Sequence, residues 1–309
     1  MTTRTPTAFC CTITPFDENG KLDEDAVLLL VGRLGEAGVG AFLGTSSPGE
    51  GFAMSMAETE RFYAVAKEAM AGRAPCQAMG VEPHNADESW ELIQIAQSVG
   101  LDAMQLYSLD LSHGNMPQMN ELEAFFRANL ERMTIPAVLS THWLVGYMIP
   151  LDMIDRLVSE YPHIKGINCS TTDIGYMKRV IDVVDGRADV HTGGPQHAMT
   201  NFALGGQGFL CTEAILAPRT VGAVVKNYTA GDYKAMFEAF NNVLSITKVN
   251  VYPGGSVRFT KAAMRALGLP GWFVRPPYIP FDEERVDEIK AGLAKLPFMA
   301  DEDLSGAQG

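Results

Sequence analysis

Short runs of hydrophobic residues alternate with longer segments in which apolar residues recur every three or four positions along most of the chain. The short runs have the length of buried strands, and a helix-like segment follows each of them. There are eight such runs, at Ala8–Ile13, Ala41–Leu43, Cys76–Met79, Ala103–Tyr107, Ala137–Ser140, Ile164–Cys169, Val190–Thr192 and Gly208–Thr212. Because strands joined by helical crossovers run in the same direction, the pattern predicts eight parallel strands.

The number of strand–helix units distinguishes two common arrangements of a parallel sheet. Eight units favour a closed barrel over an open doubly wound sheet. No GxGxxG sequence follows the first run, which argues against the dinucleotide site that many open sheets carry. We therefore expect an α/β fold, a (β/α)8 TIM barrel with a C-terminal helical extension.

Capping motifs mark the ends of several predicted helices. Glu58 follows Ser55 by three positions, as in a capping box, and Glu88 follows Asn85 with the same spacing. Gly100 follows the apolar face of the helix that begins near Asn85, and we expect it to end that helix.

Three more helix-like segments follow the eighth unit, at Tyr233–Thr247, Arg258–Leu267 and Asp282–Ala294. A Pro/Gly-rich piece at Tyr252–Ser256 and another segment at Pro270–Pro280 separate them. No flexible linker divides these helices from the barrel. We therefore predict a barrel over residues 8–230, a helical extension packed on it over 231–298, and a disordered tail at 299–309.

Composition and charge restrict the class of protein. The chain has 309 residues, 47% of them hydrophobic, and a net charge of −13, which fits one α/β barrel with a large core. No cluster of lysines and arginines suggests nucleic acid or an anionic membrane surface as a partner. No stretch approaches the roughly 20 apolar residues that span a bilayer, and the first residues do not read as a signal peptide.

The cysteines indicate the redox environment. There are five, they are scattered, and no CxxC sequence occurs. This pattern favours reduced thiols in a cytoplasmic protein and argues against a zinc site built from cysteines.

Several segments carry the motifs of one enzyme family. They are Thr12–Asp17 (TITPFD), Gly38–Thr45 (GVGAFLGT) followed by Gly49-Glu50, Gly205–Gly208 (GGQG) with Ala217-Pro218, and Lys261–Ala263 before Leu267–Leu269. In this order, over roughly residues 8–297, they resemble the pyruvate-dependent lyases of the dihydrodipicolinate synthase / N-acetylneuraminate lyase family. The resemblance implies a TIM barrel, a small-molecule substrate and a homo-oligomer, either a tetramer built from dimers or a dimer. No cofactor is expected.

The sixth run departs from this family where its chemistry lies. The family pattern is Gly-Ile-Lys-Glu, and its lysine forms an imine with pyruvate. Alignment on Gly166-Ile167 places Asn168 at the lysine, and an amide nitrogen has no free lone pair with which to attack a carbonyl group. Lys165 lies three positions earlier, and this odd offset points it to the opposite face of a strand.

The fifth run departs as well. The family pattern there is Tyr-Asn-x-Pro, whose tyrosine relays protons, and alignment places Ser140 at the tyrosine and Thr141 at the asparagine. Two positions have changed together, which indicates natural divergence. His142 follows, either as a proton shuttle near neutral pH or as a surface or core histidine.

The loop after the second run keeps hydroxyl groups. The resemblance implies that hydroxyls and backbone N–H groups here hold the carboxylate of a keto acid. Thr45, Ser46 and Ser47 supply hydroxyls, although the loop is two residues longer than the family pattern. The alternative is a loop that only leads into the next helix.

Further polar residues end or follow other runs, on the side where barrel enzymes carry their chemistry: Glu82, His84, Asp110, His113, Thr192, Gly193, Thr212 and Glu213. We expect Asp110, Thr192 and Gly193 to contact substrate. Burial at the end of an apolar run would raise the pKa of Glu213 and suit it as an acid or base, while the alternative is a hydrogen-bonded structural carboxylate.

Three hypotheses follow. The first is a lyase- or hydratase-like enzyme that acts on a small oxo acid or related carbonyl compound without an imine at position 168. Asn168, Ser140 and the loop hydroxyls would bind a developing oxyanion, and Glu213 or His142 would move the proton.

The second hypothesis is a non-catalytic protein that binds carboxylates or carbonyl compounds on an aldolase scaffold. The third is a metal-dependent hydrolase or aldolase that uses side chains among His84, His113, His142, Glu82 and Glu213, although no HxH or HExxH spacing supports it.

Overall fold

The computed structural model describes residues 5–250, 255–302 and 304. Within them, parallel strands close into a barrel in the order β1 to β8. The strands are β1 (Thr7–Cys11), β2 (Gly40–Leu43), β3 (Cys76–Ala78), β4 (Met104–Leu106), β5 (Ala137–His142), β6 (Ile164–Ser170), β7 (Asp189–Gly193) and β8 (Gly208–Cys211). All eight predicted strands and the predicted barrel are confirmed.

A helix follows every strand. These helices are α1 (Glu24–Glu36), α2 (Met56–Met70), α3 (Ala86–Val99), α4 (Met119–Leu130), α5 (Leu151–Glu160), α6 (Ile174–Val184), α7 (Ala198–Leu204) and α8 (Pro218–Ala230). The three predicted C-terminal helices are also present, as α9 (Tyr233–Thr247), α10 (Gly255–Ala266) and α11 (Glu283–Leu293). Among the described residues, no helix has both the length and the apolar character that crossing a bilayer requires.

The predicted capping motifs form. Ser55 and Glu58 make a reciprocal capping box at the start of α2, and the Asn85 side chain accepts two backbone N–H groups at the start of α3. Gly100 ends α3 with φ +75°, a left-handed conformation that glycine adopts without steric cost.

The described residues fall into two compact units. The central unit contains residues 5–6 and 77–210. The terminal unit contains residues 7–76 and the described residues from Cys211 onward. The boundaries predicted from the sequence, at 230 and 298, stay a prediction.

The described residues beyond position 298 include part of a short helical turn. Residues Pro297–Asp301 form a short helical turn, and the Glu302 carboxylate accepts the Thr220 backbone N–H at 2.8 Å at the start of α8. A carboxylate is stabilised there by the free N–H groups of the helix. The tail predicted for 299–309 stays a prediction, although its first residues take part in this turn and this hydrogen bond. Met1–Arg4, the 251–254 part of the Pro/Gly-rich piece, 303 and 305–309 lie outside the described residues.

Candidate active site

The register of the central strands places three polar residues side by side. Ser140 on β5 lies opposite Asn168 on β6, and Asn168 lies opposite His191 on β7. Directly opposed residues in parallel strands share a face, and neighbouring strands lie about 4.8 Å apart. The three residues are 0%, 3% and 8% exposed, respectively, so they form a buried polar row.

A fourth polar residue shows that this row faces the barrel interior. The Asn168 amide donates a hydrogen bond from Nδ2 to Gln105 Oε1 at 3.0 Å. Gln105 lies on β4, and β5 separates β4 from β6 in the barrel, so this bond crosses the inner face of β5. We call Gln105, Ser140, Asn168 and His191 the interior cluster.

Polar atoms of two amide or hydroxyl side chains in the interior cluster have no hydrogen-bond partner among the described residues. They are Gln105 Nε2 and Ser140 Oγ, on side chains that are 1% and 0% exposed. A buried donor without a partner costs about 1–3 kcal/mol, so such groups are rare in a well-packed interior. Both groups can donate hydrogen bonds to an oxygen atom of a ligand.

The next level of the barrel contains Ser170, His142 and Gly193. Ser170 lies opposite His142, and its hydroxyl donates a long hydrogen bond to Asn168 Oδ1 at 3.4 Å. A Cβ atom on Gly193 would lie 2.0 Å from Ser170 Oγ. Glycine at 193 therefore leaves the space that the Ser170 side chain occupies.

The geometry of His142 assigns its proton. Its Nδ1 accepts a hydrogen bond from the Leu144 backbone N–H at 3.2 Å, which leaves the proton of the neutral ring on Nε2. Burial lowers the pKa of His142, and the nearby Glu82 carboxylate opposes this shift. The neutral ring is therefore a hydrogen-bond donor at Nε2.

His191 lies inside β7, not at its end. Burial lowers its pKa to about 4, against the opposing charge of Asp189. The ring is therefore neutral at pH 7. The residue opposite it on β8 is Gly208, which has no side chain.

Other predicted site residues of the central unit lie apart from the interior cluster. Thr141 and Thr192 both oppose Cys169, so they share its face, which is opposite to that of Asn168. The Thr141 hydroxyl lies 2.9 Å from the Tyr176 hydroxyl and accepts the Ile149 backbone N–H.

Asp110 lies in the loop after β4. Its Oδ1 accepts the Ser112 backbone N–H at 2.8 Å. The carboxylate therefore shapes this loop, and its contact with substrate stays a prediction.

In the terminal unit, some of the loop groups that were predicted to bind a carboxylate after β2 form hydrogen bonds within the protein. Thr45 is fully buried, and its Oγ1 accepts the Gly49 backbone N–H at 3.0 Å. The Gly49 carbonyl accepts the Thr14 hydroxyl at 2.5 Å. Ser46 is half-buried, and the exposed Ser47 has its Oγ 2.9 Å from Ser256 Oγ. Their binding of a carboxylate stays a prediction.

A buried ion pair holds the end of this loop. Lys261 Nζ on α10 lies 2.5 Å from Glu50 Oε2, and both residues are at most 1% exposed. The ammonium group also donates to the Phe273 carbonyl and lies over the Phe16 ring. Burial lowers the pKa of Lys261 to about 8, although Glu50 opposes this shift. The amine is thus fully engaged in structural contacts.

Glu213 starts a short helical turn after β8 in the same unit. Its carboxylate accepts the Thr212 backbone N–H at 3.1 Å, and burial raises its pKa. Its neighbours Cys10, Cys11 and Cys211 are free thiols, and burial raises the pKa of Cys11 to about 12. The role of Glu213 as an acid or base stays a prediction.

No three His, Cys, Asp or Glu side chains are arranged to hold a metal ion in the part of the chain that the structure describes. His84, one of the residues considered for such a site, contacts Glu88 at the surface, with 3.1 Å between Nδ1 and Oε2.

Comparison with known proteins agrees with this architecture. The model of the dihydrodipicolinate synthetase family matches residues 6–296, nearly the whole chain. The chain belongs to this family. A 4-hydroxy-tetrahydrodipicolinate synthase of Stutzerimonas stutzeri is 28% identical over 290 residues, which cover 93% of this chain and 97% of that protein. An uncharacterised DapA-like lyase of Pyrococcus furiosus is 27% identical over 286 residues, 90% of this chain and 93% of that protein.

Solved structures of the family share the fold. YagE of E. coli K12, solved in complex with pyruvate, superposes with a TM-score of 0.86 at 24% identity, over 94% of this chain and 98% of YagE. Dihydrodipicolinate synthase from Aquifex aeolicus superposes with a TM-score of 0.85 at 22% identity, over 94% of this chain and 99% of that chain. The protein is therefore a lyase-family TIM barrel of the dihydrodipicolinate synthase kind.

The sequence pattern alone does not single out two members of the interior cluster. Gln105 stands between Met104 and Leu106 in a buried run, and a lone amide in such a run is the one local sign of a special position. His191 lies at the seventh run, but only the strand register places it beside Asn168.

Proposed function

We propose that this protein is a lyase- or hydratase-like enzyme that acts on a small oxo acid or a related carbonyl compound and forms no imine at position 168. One observation carries the proposal: Asn168 is held inside the barrel by Gln105, with Ser140 beside it. Neither Lys165 nor Lys261 supports an imine. The Lys165 side chain is exposed, and that of Lys261 is engaged by Glu50.

The interior cluster supplies hydrogen-bond donors in place of an amine. Gln105 Nε2, the second N–H of Asn168 Nδ2 and the Ser140 hydroxyl can donate to a carbonyl oxygen that gains negative charge during the reaction. Donors fixed in a buried site need no reorganisation, and one such donor contributes about 10²- to 10³-fold to kcat. The proposed mechanism therefore polarises the carbonyl group directly.

Proton transfer has two candidates from the sequence. His142 is a neutral donor at Nε2, which suits it to give a proton. Glu213, which lies in the terminal unit, has a raised pKa and suits the role of an acid. Each role is part of the proposal.

Proton NMR of the purified enzyme with a panel of 2-oxo acids, alone and with aldehydes, tests this function. We expect turnover of at least one compound or pair. Asn168→Ala should lower kcat by about 10² or more, since it removes an oxyanion donor.

Asn129→Ala is the matched control. Asn129 is also a buried asparagine of the central unit, but it lies on α4 and donates to the Phe125 carbonyl. This variant should keep kcat. Thermal stabilisation by oxo acids without any turnover would contradict the proposal and favour a non-catalytic binding protein.

A further inference from the structure

We infer that His191 takes the proton from the carbon next to the substrate carbonyl, so that the interior cluster produces an enolate. The inference rests on the proposed function and names the base that the function needs. It also narrows the substrate class, because only an oxo acid or related carbonyl compound with a hydrogen on the carbon next to the carbonyl can react in this way.

The position of His191 supports this role. It is opposite Asn168 in the ladder, about 4.8 Å away by the spacing of strands, and on the same face. A carbonyl oxygen bound by the Asn168 amide therefore has its adjacent carbon within reach of the imidazole ring. The residue opposite His191 on the other side is Gly208, which contributes no side chain there.

The chemical state of the ring agrees with a proton acceptor. A neutral imidazole has a lone pair on one ring nitrogen. Burial lowers the pKa of His191 to about 4 in spite of Asp189, so the ring is neutral at pH 7. The same shift weakens the ring as a base until the negative charge of the enolate develops beside it, which raises the pKa again. By contrast, His142 accepts the Leu144 N–H at Nδ1, so its other nitrogen carries a proton and donates. The two histidines thus differ in role: His191 accepts and His142 donates.

The proposed step balances without any other reactant. The C–H bond of the carbon next to the carbonyl breaks, and its proton bonds to a ring nitrogen of His191. The electron pair forms a carbon–carbon double bond, and the carbonyl π pair moves to oxygen. The resulting enolate oxygen accepts hydrogen bonds from Asn168, Gln105 and Ser140, and the imidazolium beside it is attracted to this charge in the low-dielectric interior. The reverse step returns a proton from His191 to carbon.

Hydrogen–deuterium exchange of pyruvate in D₂O measures this step directly. We expect the native enzyme to exchange the methyl hydrogens, which proton NMR detects as loss of the methyl signal. 3,3-Dimethyl-2-oxobutanoate, which has no hydrogen on the adjacent carbon, should bind without exchange.

Variants of His191 separate catalysis from structure. His191→Gln should lower the exchange rate by about 10²-fold or more, the usual contribution of a general base, and change the Kd of pyruvate only a few-fold. His191→Ala should lose exchange and recover it in proportion to added imidazole, which a structural role would not produce. His163→Gln is the control, because His163 precedes β6 and is outside the interior cluster; its exchange rate should equal that of the native enzyme.

A measurement on the native enzyme removes the dependence on variants. With ¹⁵N-labelled histidine, binding of oxalate, a planar anion that resembles the enolate, should convert a neutral imidazole to imidazolium. Exchange at the native rate in His191→Gln, failure of imidazole to restore folded His191→Ala, or oxalate binding without protonation of any histidine would each overturn the assignment of His191. If no oxo acid binds or turns over, the proposed function itself fails, which is a different result.

Discussion

At the residue scale, four uncharged polar side chains occupy a barrel interior that branched apolar residues usually fill. The hydrogen bond between Asn168 and Gln105 uses only part of the hydrogen-bonding capacity of the two amides, and burial keeps His191 neutral. Buried polar groups with unmet hydrogen bonds lower stability, so their grouping indicates a site for a ligand.

The pH dependence of stability tests the buried state of His191. Its pKa falls to about 4 in the folded protein, below the ordinary value of about 6.5, so the unfolded chain binds this proton first as pH decreases. The contribution of the neutral His191 to stability is therefore present at pH 7.5, and it is lost as pH falls from about 6.5 towards 4. When pH falls from 7.5 to 5, we expect this group to lower the free energy of unfolding by about 2 kcal/mol.

Urea unfolding of the native protein and of His191→Gln at both pH values measures this difference. The variant should lose about 2 kcal/mol less than the native protein, because His142 and His163 titrate in both. Equal losses would contradict the buried neutral state.

Gly193 gives a test of steric packing in the barrel level next to the interior cluster. A Cβ at this position would lie 2.0 Å from Ser170 Oγ, so Gly193→Ala should displace Ser170 and cost about 1–3 kcal/mol of unfolding free energy. Gly175→Ala on α6 is the control, since its Cβ would meet only the ends of the Asp173 and Arg179 side chains. Denaturant unfolding that shows no difference between the two variants would refute the steric requirement.

Part of the site follows from the sequence at this scale. Asn168 and Ser140 are predicted from the sequence, because alignment with the family pattern leads us to expect another residue at each position. The partnership of Asn168 with Gln105 joins residues 63 positions apart across the barrel, and no local pattern encodes that distance. Thr141 and Thr192 were expected at the site because they follow strands, but alternation along the strands turns them to the other face.

At the scale of elements, hydrophobic periodicity and capping residues predict the helices and strands well. The bounds of α9, Tyr233–Thr247, agree with those predicted, and the Ser55 capping box forms as expected. β5 is longer than its apolar run, because its pairing with β6 continues as far as His142 and Ser170. Pairing with β6 sets the end of β5, and composition does not reveal this pairing.

The ion pair between the β2 loop and α10 gives a prediction at this scale. Lys261→Met leaves the Glu50 carboxylate buried and unpaired, which should cost about 3–5 kcal/mol. The double variant Glu50→Gln, Lys261→Met removes both charges and should cost less than the sum of the single changes. Chemical unfolding of all four proteins in a double-mutant cycle measures the coupling, and additive costs would show that the pair is not coupled.

At the scale of the whole molecule, the sequence predicts the barrel because eight strand–helix units have few other arrangements, and the family match over residues 6–296 agrees with it. The contact of Glu302 with α8 was not predicted, because it joins residues far apart in sequence. The family identifies the scaffold and the lyase class, while the interior cluster carries the proposal about mechanism.

The central claim is that this scaffold acts on a carbonyl substrate without an imine. Reduction with borohydride during turnover of a 2-oxo acid, followed by mass spectrometry of the intact protein, tests it most directly. Asn168→Lys serves as the positive control, since a lysine buried at this position has a lowered pKa and a nucleophilic amine. We predict continued turnover and an unchanged mass for the native protein, with a trapped adduct in the control; an adduct on any lysine of the native protein would contradict the claim.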